Sequence, residues 1–259
     1  LYGVDDKQYA AQLWHLASAL FDPLDLALPA TPGGDAPDAA LVAHVTQRRR
    51  KAALSAWLER AVAASVQAEV RAHTAASRST EQVFALLSGH QVEEAAEAAM
   101  ESGQGRLATL VAQAGGSLEM RADLQEQLAV WRSEGVDAEV DTSVRRVYEL
   151  LAGNVTHAQM SDARGRPTQT LAMAAGLDWR RALGLHVWYG TAWEAPLAVS
   201  LRSYEAAWRE SDSTAAPLPP YQADAQLGLL RKRELIQRPG APRDALIGLL
   251  RLHVDASYP

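Results

Sequence analysis

The chain has 259 residues, 48% of them hydrophobic, so it can form one large domain or a run of stacked helical units around a substantial core. Its formal net charge of −6 argues against a role in neutralising phosphates, and its lack of cysteine removes disulfides, thiolate metal ligands and a cysteine nucleophile together. No stretch approaches the roughly 18 uninterrupted apolar residues of a membrane-spanning helix. The opening Leu1-Tyr2-Gly3-Val4-Asp5-Asp6 has neither an initiator Met nor a leader-peptide layout, so the chain is expected to be an internal piece of a longer protein.

Phe occurs only twice, while Ala and Leu, the strongest helix formers, recur throughout; the fold class expected is all-α. A first helix is predicted from Lys7 to Phe21, with Tyr9, Leu13, Leu16 and Leu20 at helical spacing and Trp14 beside them. Pro23 closes it, and the Pro- and Gly-rich stretch from Leu28 to Pro37 reads as a mobile surface loop. Asp38 then caps a pattern that runs to His73, long enough to span on the order of 50 Å, and the polar Ala76–Thr80 segment breaks it.

From Glu81 onward glycines punctuate short helices at Gly89, Gly103, Gly115, Gly135, Gly153 and Gly176, in the place where a helix commonly ends in a left-handed residue. Between them the pattern predicts helices at Val92–Glu101, Arg106–Gln113, Leu118–Glu134 and Ser143–Ala152, with Ser117 and Asp141 or Thr142 at capping positions. Leu124, Leu128 and Trp131 share one face, as do Val144, Val147, Tyr148 and Leu151. The spacing is irregular, so the expected architecture is an irregular helical solenoid or zigzag and not a fixed-period array. Val155–Pro167 is weakly patterned. Helices are predicted again at Thr168–Ala175, Asp178–Tyr189, Pro196–Glu210, Gln222–Ile236 and Arg243–His253, with Ser213–Pro220 as a second mobile, linker-like loop.

A search for reactive constellations returns structural readings. The seven histidines form no His-Glu-x-x-His pair, and no two lie four apart, so neither a metal nor a catalytic histidine is expected; His186 reads as a packed residue. Glu93, Glu94 and Glu97 read as the solvated face of an Ala-rich helix. Gly103-Gln104-Gly105-Arg106 lacks the Gly-Lys-Ser/Thr ending of a phosphate loop. The basic run Arg48-Arg49-Arg50-Lys51 fits a nuclear-import or nucleic-acid patch, but a solvated helix face is the expected reading. Four of the seven tryptophans fall between Trp179 and Trp208 and are expected mainly to fill the core. No catalytic residue, cofactor or metal site is expected.

Several segments in order carry a family resemblance: Val83–Ala95, Arg106–Gly116, Gln127–Arg132, Val147–Val155 and Leu177–Gly190. Together they resemble nucleoporin 96, called nucleoporin 145C in fungi, over roughly residues 8 to 254. The resemblance implies an ancestral coatomer element in a scaffold subunit of the nuclear pore Y-complex, at the nuclear envelope, supporting nucleocytoplasmic transport of protein and mRNA. Residues 1–80 would be trunk helices, 81–190 the crown, and 191–259 the returning trunk. It further implies crown-to-crown pairing with a scaffold nucleoporin of the 84/107 type and contacts with other Y-complex subunits. It implies a β-blade donated to a WD-repeat propeller by an N-terminal segment as well; no β-rich segment precedes Tyr9, so propeller binding is not expected of these residues. Neither direct nucleic-acid binding nor membrane insertion is expected. The short helix at Arg106–Gln113 cannot be stable alone, and Leu107, Leu110 and Val111 are the expected protein-binding residues. The competing readings are core packing for these three residues, a vesicle-coat or transport-receptor solenoid for the chain, and an all-α enzyme with an unrecognised site.

Overall fold

A computed structural model describes residues 4–28, 38–219, 228–237 and 243–255. The described chain is predominantly helical: α1 (Val4–Phe21), α2 (Ala39–Ala75), α3 (Ser79–Leu87), α4 (Val92–Glu101), α5 (Gly105–Val111), α6 (Leu118–Ser133), a 3₁₀ turn at Val136–Ala138, α7 (Thr142–Leu151), strands β1 (His157–Ser161) and β2 (Pro167–Ala172), α8 (Trp179–Leu185), a π turn at His186–Gly190, α9 (Leu197–Glu210), α10 (Gly228–Gln237) and α11 (Ala245–Val254). The all-α expectation holds. Among the described residues the one sheet is an antiparallel two-stranded hairpin.

Contacts divide the chain into two compact units, one formed by residues 1–61, 194–199 and 217–259, the other by residues 62–193 and 200–216. The first boundary falls inside α2, whose 37 residues rise about 55 Å at 1.5 Å each.

In the first unit, Leu16 and Leu20 of α1 are fully buried, with Leu54, Trp57 and Leu58 of α2 also in the core. The Trp57 indole N–H donates to the Gln12 carbonyl at 3.1 Å. Asp244 accepts from Leu246 N–H at 2.9 Å, capping α11, and takes the Tyr9 hydroxyl at 2.5 Å. Burial, reinforced by the Asp244 carboxylate, raises the Tyr9 phenol well above its ordinary pKa. Asp38 caps α2 as expected, accepting from Ala40 N–H at 3.2 Å.

In the second unit α3 packs on α4, α4 on α5, α3 on α7 and α6 on α7. Ser117 and Asp141 cap α6 and α7, accepting from Met120 N–H at 3.2 Å and Ser143 N–H at 2.8 Å. Five of the six punctuating glycines adopt positive φ. At Gly135 the requirement is double: φ is +72°, and a Cβ there would lie 2.3 Å from the Ala163 carbonyl oxygen. Gly89 is the exception. The left-handed residue after α3 is His90, at φ 62°. Gly89 instead permits close approach, since a Cβ would sit 2.7 Å from a Val66 methyl on α2.

Three segments depart from the expected pattern, and a fourth falls outside the described residues. Thr168–Ala175 was expected as a helix, but β2 occupies its first half. Asp162 accepts from the Arg164 and Arg166 amides at 2.9 and 3.0 Å, Gly165 takes φ +70°, and the two β-branched threonines continue from that turn as a strand. The break after α2 is shorter than Ala76–Thr80, because α3 already begins at Ser79. The Ser213–Pro220 stretch, expected to be mobile for want of apolar surface, buries Thr214, Ala216 and Leu218. The Leu28–Pro37 stretch lies, apart from Leu28, outside the described residues.

Candidate protein-binding surface

Helix α5 turns Leu107 and Val111 inward, 4% and 0% exposed, with Ala108 between them at 3%. Leu110, on the neighbouring face, is half-buried. It lines a surface recess of about 670 Å³ together with Met120, Leu124 and Trp131 of α6 and Tyr148 of α7. The Trp131 and Tyr148 rings lie 5.0 Å apart at a 49° tilt, both half-exposed. So the three expected binding residues split by environment, two in the core and one in the wall of an amphipathic hollow. The sevenfold tryptophan set splits too: Trp57, Trp179, Trp188 and Trp208 are buried, while Trp14 is 76% exposed. In the first unit, Trp14 lies in an apolar groove where Leu13 and Ala17 of α1 face Gly248, Leu249 and Leu252 of α11.

Helix α7, which gives Tyr148 to the recess, also carries a buried ionic network. Arg145, Glu149 and Asp137 are each 0% exposed. The Arg145 Nε donates to Glu149 Oε1 at 2.8 Å, its Nη2 lies 2.6 Å from the same oxygen, and its Nη1 is ion-paired with Asp137. Asp137 Oδ2 accepts from the Ser161 amide at 2.7 Å, and Glu149 also takes the Asn154 side-chain amide and Arg132, the latter at 3.4 Å. One guanidinium therefore ties α7 to the 3₁₀ turn, and through Asp137 to β1. Sequence reading treats α7 through its cap and its apolar stripe. The available signal was the four-residue spacing of Arg145 and Glu149, which places them on one helix face.

A second polar cluster joins α2 to α8. Arg181, 3% exposed, donates through Nε to Ser88 Oγ at 3.0 Å and pairs with Glu69, which also meets His73 at 3.3 Å. Burial opposes ionisation of Glu69, but the Arg181 and His73 interactions outweigh it and hold the carboxyl below its usual range. His186 is packed, as expected. It is 0% exposed, with Nδ1 2.9 Å from Ser203 Oγ, and burial pushes its pKa down to about 4.

The remaining sequence features resolve into structure. Glu93, Glu94 and Glu97 lie on the exposed face of α4. The Gly103–Arg106 segment runs from the α4–α5 turn into the first residues of α5, with the Gln104 amide donating to Thr80 Oγ1 at 3.1 Å. The basic run is not a uniform solvated face: Arg48 and Arg49 are exposed, but Lys51 is 1% exposed and reaches the Ala195 carbonyl at 3.3 Å. Arg50 donates to the Ala19 carbonyl at 3.1 Å. Among the described residues no three His, Asp or Glu side chains are grouped to hold a metal ion, and no helix is long and apolar enough to cross a membrane.

Short stacked helices, buried ion pairs between elements and a half-apolar hollow define the class as an all-α helical stack. The family follows from comparison with known proteins. The model of the Nup96 family, described as Nuclear protein 96, matches residues 81–259, and the chain belongs to that family. It is 36% identical over 157 residues to the nuclear pore complex protein NUP96 of Arabidopsis thaliana, a match covering 60% of this chain and 14% of that protein. It is 28% identical over 185 residues to nucleoporin nup189 of Schizosaccharomyces pombe, covering 71% of this chain and 10% of the other. Against Nup98-Nup96 of Drosophila melanogaster the identity is 26% over 221 residues, 85% of this chain and 10% of the relative. The chain thus spans about a tenth to a seventh of these relatives' length. It is a nuclear pore complex component, localised at the pore.

Proposed function

We propose that this chain is a structural scaffold element of the nuclear pore Y-complex that performs no catalysis. In this reading it binds another scaffold nucleoporin, of the 84/107 type, through the crown-like helices between residues 81 and 190. The carrying observation is the recess around Leu110. It sets half-buried Leu110 and Met120 beside Trp131 and Tyr148, the aromatic types that anchor protein interfaces, on helices of which α7 also carries the Arg145–Glu149 pair, and it lies within the part of the chain that the Nup96 family model matches. A pre-organised hollow binds with little loss of side-chain freedom. Leu107 and Val111 then support the surface from beneath, and Leu110 touches the partner.

Carboxylate-to-amine crosslinking with the candidate partner, followed by mass spectrometry, tests this reading. Asp123 lines the recess. Crosslinks from Asp123 to partner lysines are expected, and crosslinks confined to residues outside 81–190 would refute the assignment.

A further inference from the structure

The α6 wall of the Leu110 recess is a seam. Met120, Leu124, Gln127 and Trp131 line it at intervals of four, three and four residues. That alternation is the one by which a helix packs along a second helix, side chain into gap. At 1.5 Å per residue the seam is about 16 Å long, or three helical turns. The chain itself covers only part of it: Leu124 is buried, Met120 and Trp131 are half-buried, and Gln127 is exposed. The walls of the recess are the helices α5, α6 and α7, whose interior main-chain groups bond within their own helix. A segment lying there gains no ladder of main-chain bonds from the walls and must satisfy its own, as a helix does.

Two charges flank the seam. Asp123 directly precedes Leu124, in the flanking position from which charged side chains pair across a helix–helix contact and set partner and orientation. Arg106 lines the recess from α5. Both are exposed, and among the described residues neither makes an ion pair, with the other or with a third group. One turn to either side of Asp123 on α6 stand Glu119 and Glu126, also exposed and outside any ion pair among the described residues. The recess therefore has an acidic flank on α6 and a basic group on α5.

We propose that, on the scaffold reading above, the recess takes a partner helix with oppositely charged flanks, a carboxylate meeting Arg106 and a lysine or arginine meeting Asp123. Leu110, Met120 and Trp131 supply the apolar contact. The two charges select the direction in which the partner helix lies: turning it end for end exchanges its flanks, which sets acid on acid and base on base.

The test is the affinity of the 84/107-type scaffold nucleoporin for charge-reversed forms of the 259-residue chain. Arg106→Glu and Asp123→Lys should each weaken binding about tenfold or more. Both side chains are exposed, so the melting temperature should stay within a few degrees of the parent's. Arg106→Glu combined with Asp123→Lys restores the parent's net charge but reverses both pairs, so it should bind no better than either single variant. Arg164→Glu, an equal change of charge on the exposed hairpin turn, should have no comparable effect. A double variant that binds as tightly as the parent would reduce the effect to net charge and overturn the proposal. So would single variants that both bind like the parent while Leu110→Glu does not, a result that leaves the scaffold reading standing. If Leu110→Glu itself binds like the parent, the scaffold reading falls and this proposal falls with it.

Discussion

Arg145 meets Glu149 one helical turn along α7, Nε to Oε1 at 2.8 Å, with both side chains wholly removed from water. A buried pair of this kind contributes little net stability relative to apolar residues, but loss of one member strands the other's charge in the core.

Arg145→Met leaves buried Asp137 without its ion-pair partner and Glu149 with only the longer contact to Arg132. We expect it to destabilise the chain by about 3–5 kcal/mol, read as a lowered urea midpoint. A midpoint unchanged from the parent would show that the network does not hold α7 in place.

Gly135 and Gly103 both take positive φ, but only Gly135 is also hemmed in, by the Ala163 carbonyl; nothing lies within 4 Å of a Cβ at Gly103. Gly103→Ala should cost about 1–2 kcal/mol, the left-handed penalty alone. Gly135→Ala should cost more, because the backbone around Ala163 must also move. Equal losses in chemical denaturation would contradict that difference.

His186 supplies a pH dependence of known sign. Its folded pKa of about 4 lies below the unfolded value of about 6.5. The unfolded chain therefore binds the extra proton across that window, and stability is full above pH 6.5 and falls as pH drops toward 4. The shift is worth about 3 kcal/mol across the window. His253 is depressed in the same direction by burial and by Arg50, so the comparison is with His186→Asn. That variant should have a shallower slope between pH 6.5 and 4, the remainder coming from His253 and, at the acid end, Glu69. A slope equal to the parent's would place the titration elsewhere.

Helix starts and stops were legible because they are written locally. Ser117 and Asp141 read as caps and are caps, and Gly103, Gly115, Gly135, Gly153 and Gly176 read as terminators and take positive φ. What failed was non-local. Thr168 to Ala175 has enough Leu, Ala and Met to pass for a helix, and its strand depends on pairing with β1 across the Asp162 turn. Pro-rich residues 213–219 look solvated, but Tyr204 donates to the Ala215 carbonyl at 2.9 Å and Leu218 is buried. Lys51 reads as one of four surface cations and is the one turned inward. The partition of α5 is the most consequential case. Leu107, Leu110 and Val111 are equivalent by composition, and only the positions of α4, α6 and α7 separate a core pair from a half-exposed residue.

That partition gives the most direct test of the scaffold reading: Leu107→Glu and Leu110→Glu, each measured for melting temperature and for binding to the 84/107-type scaffold nucleoporin. Leu107→Glu buries an unpaired charge and should unfold the second unit. Leu110→Glu should melt within a few degrees of the parent and remain monodisperse, yet lose partner binding, since an anchor in an interface carries a large share of its energy. A folded Leu110→Glu variant that binds as tightly as the parent would contradict the account and place the partner surface elsewhere on the chain.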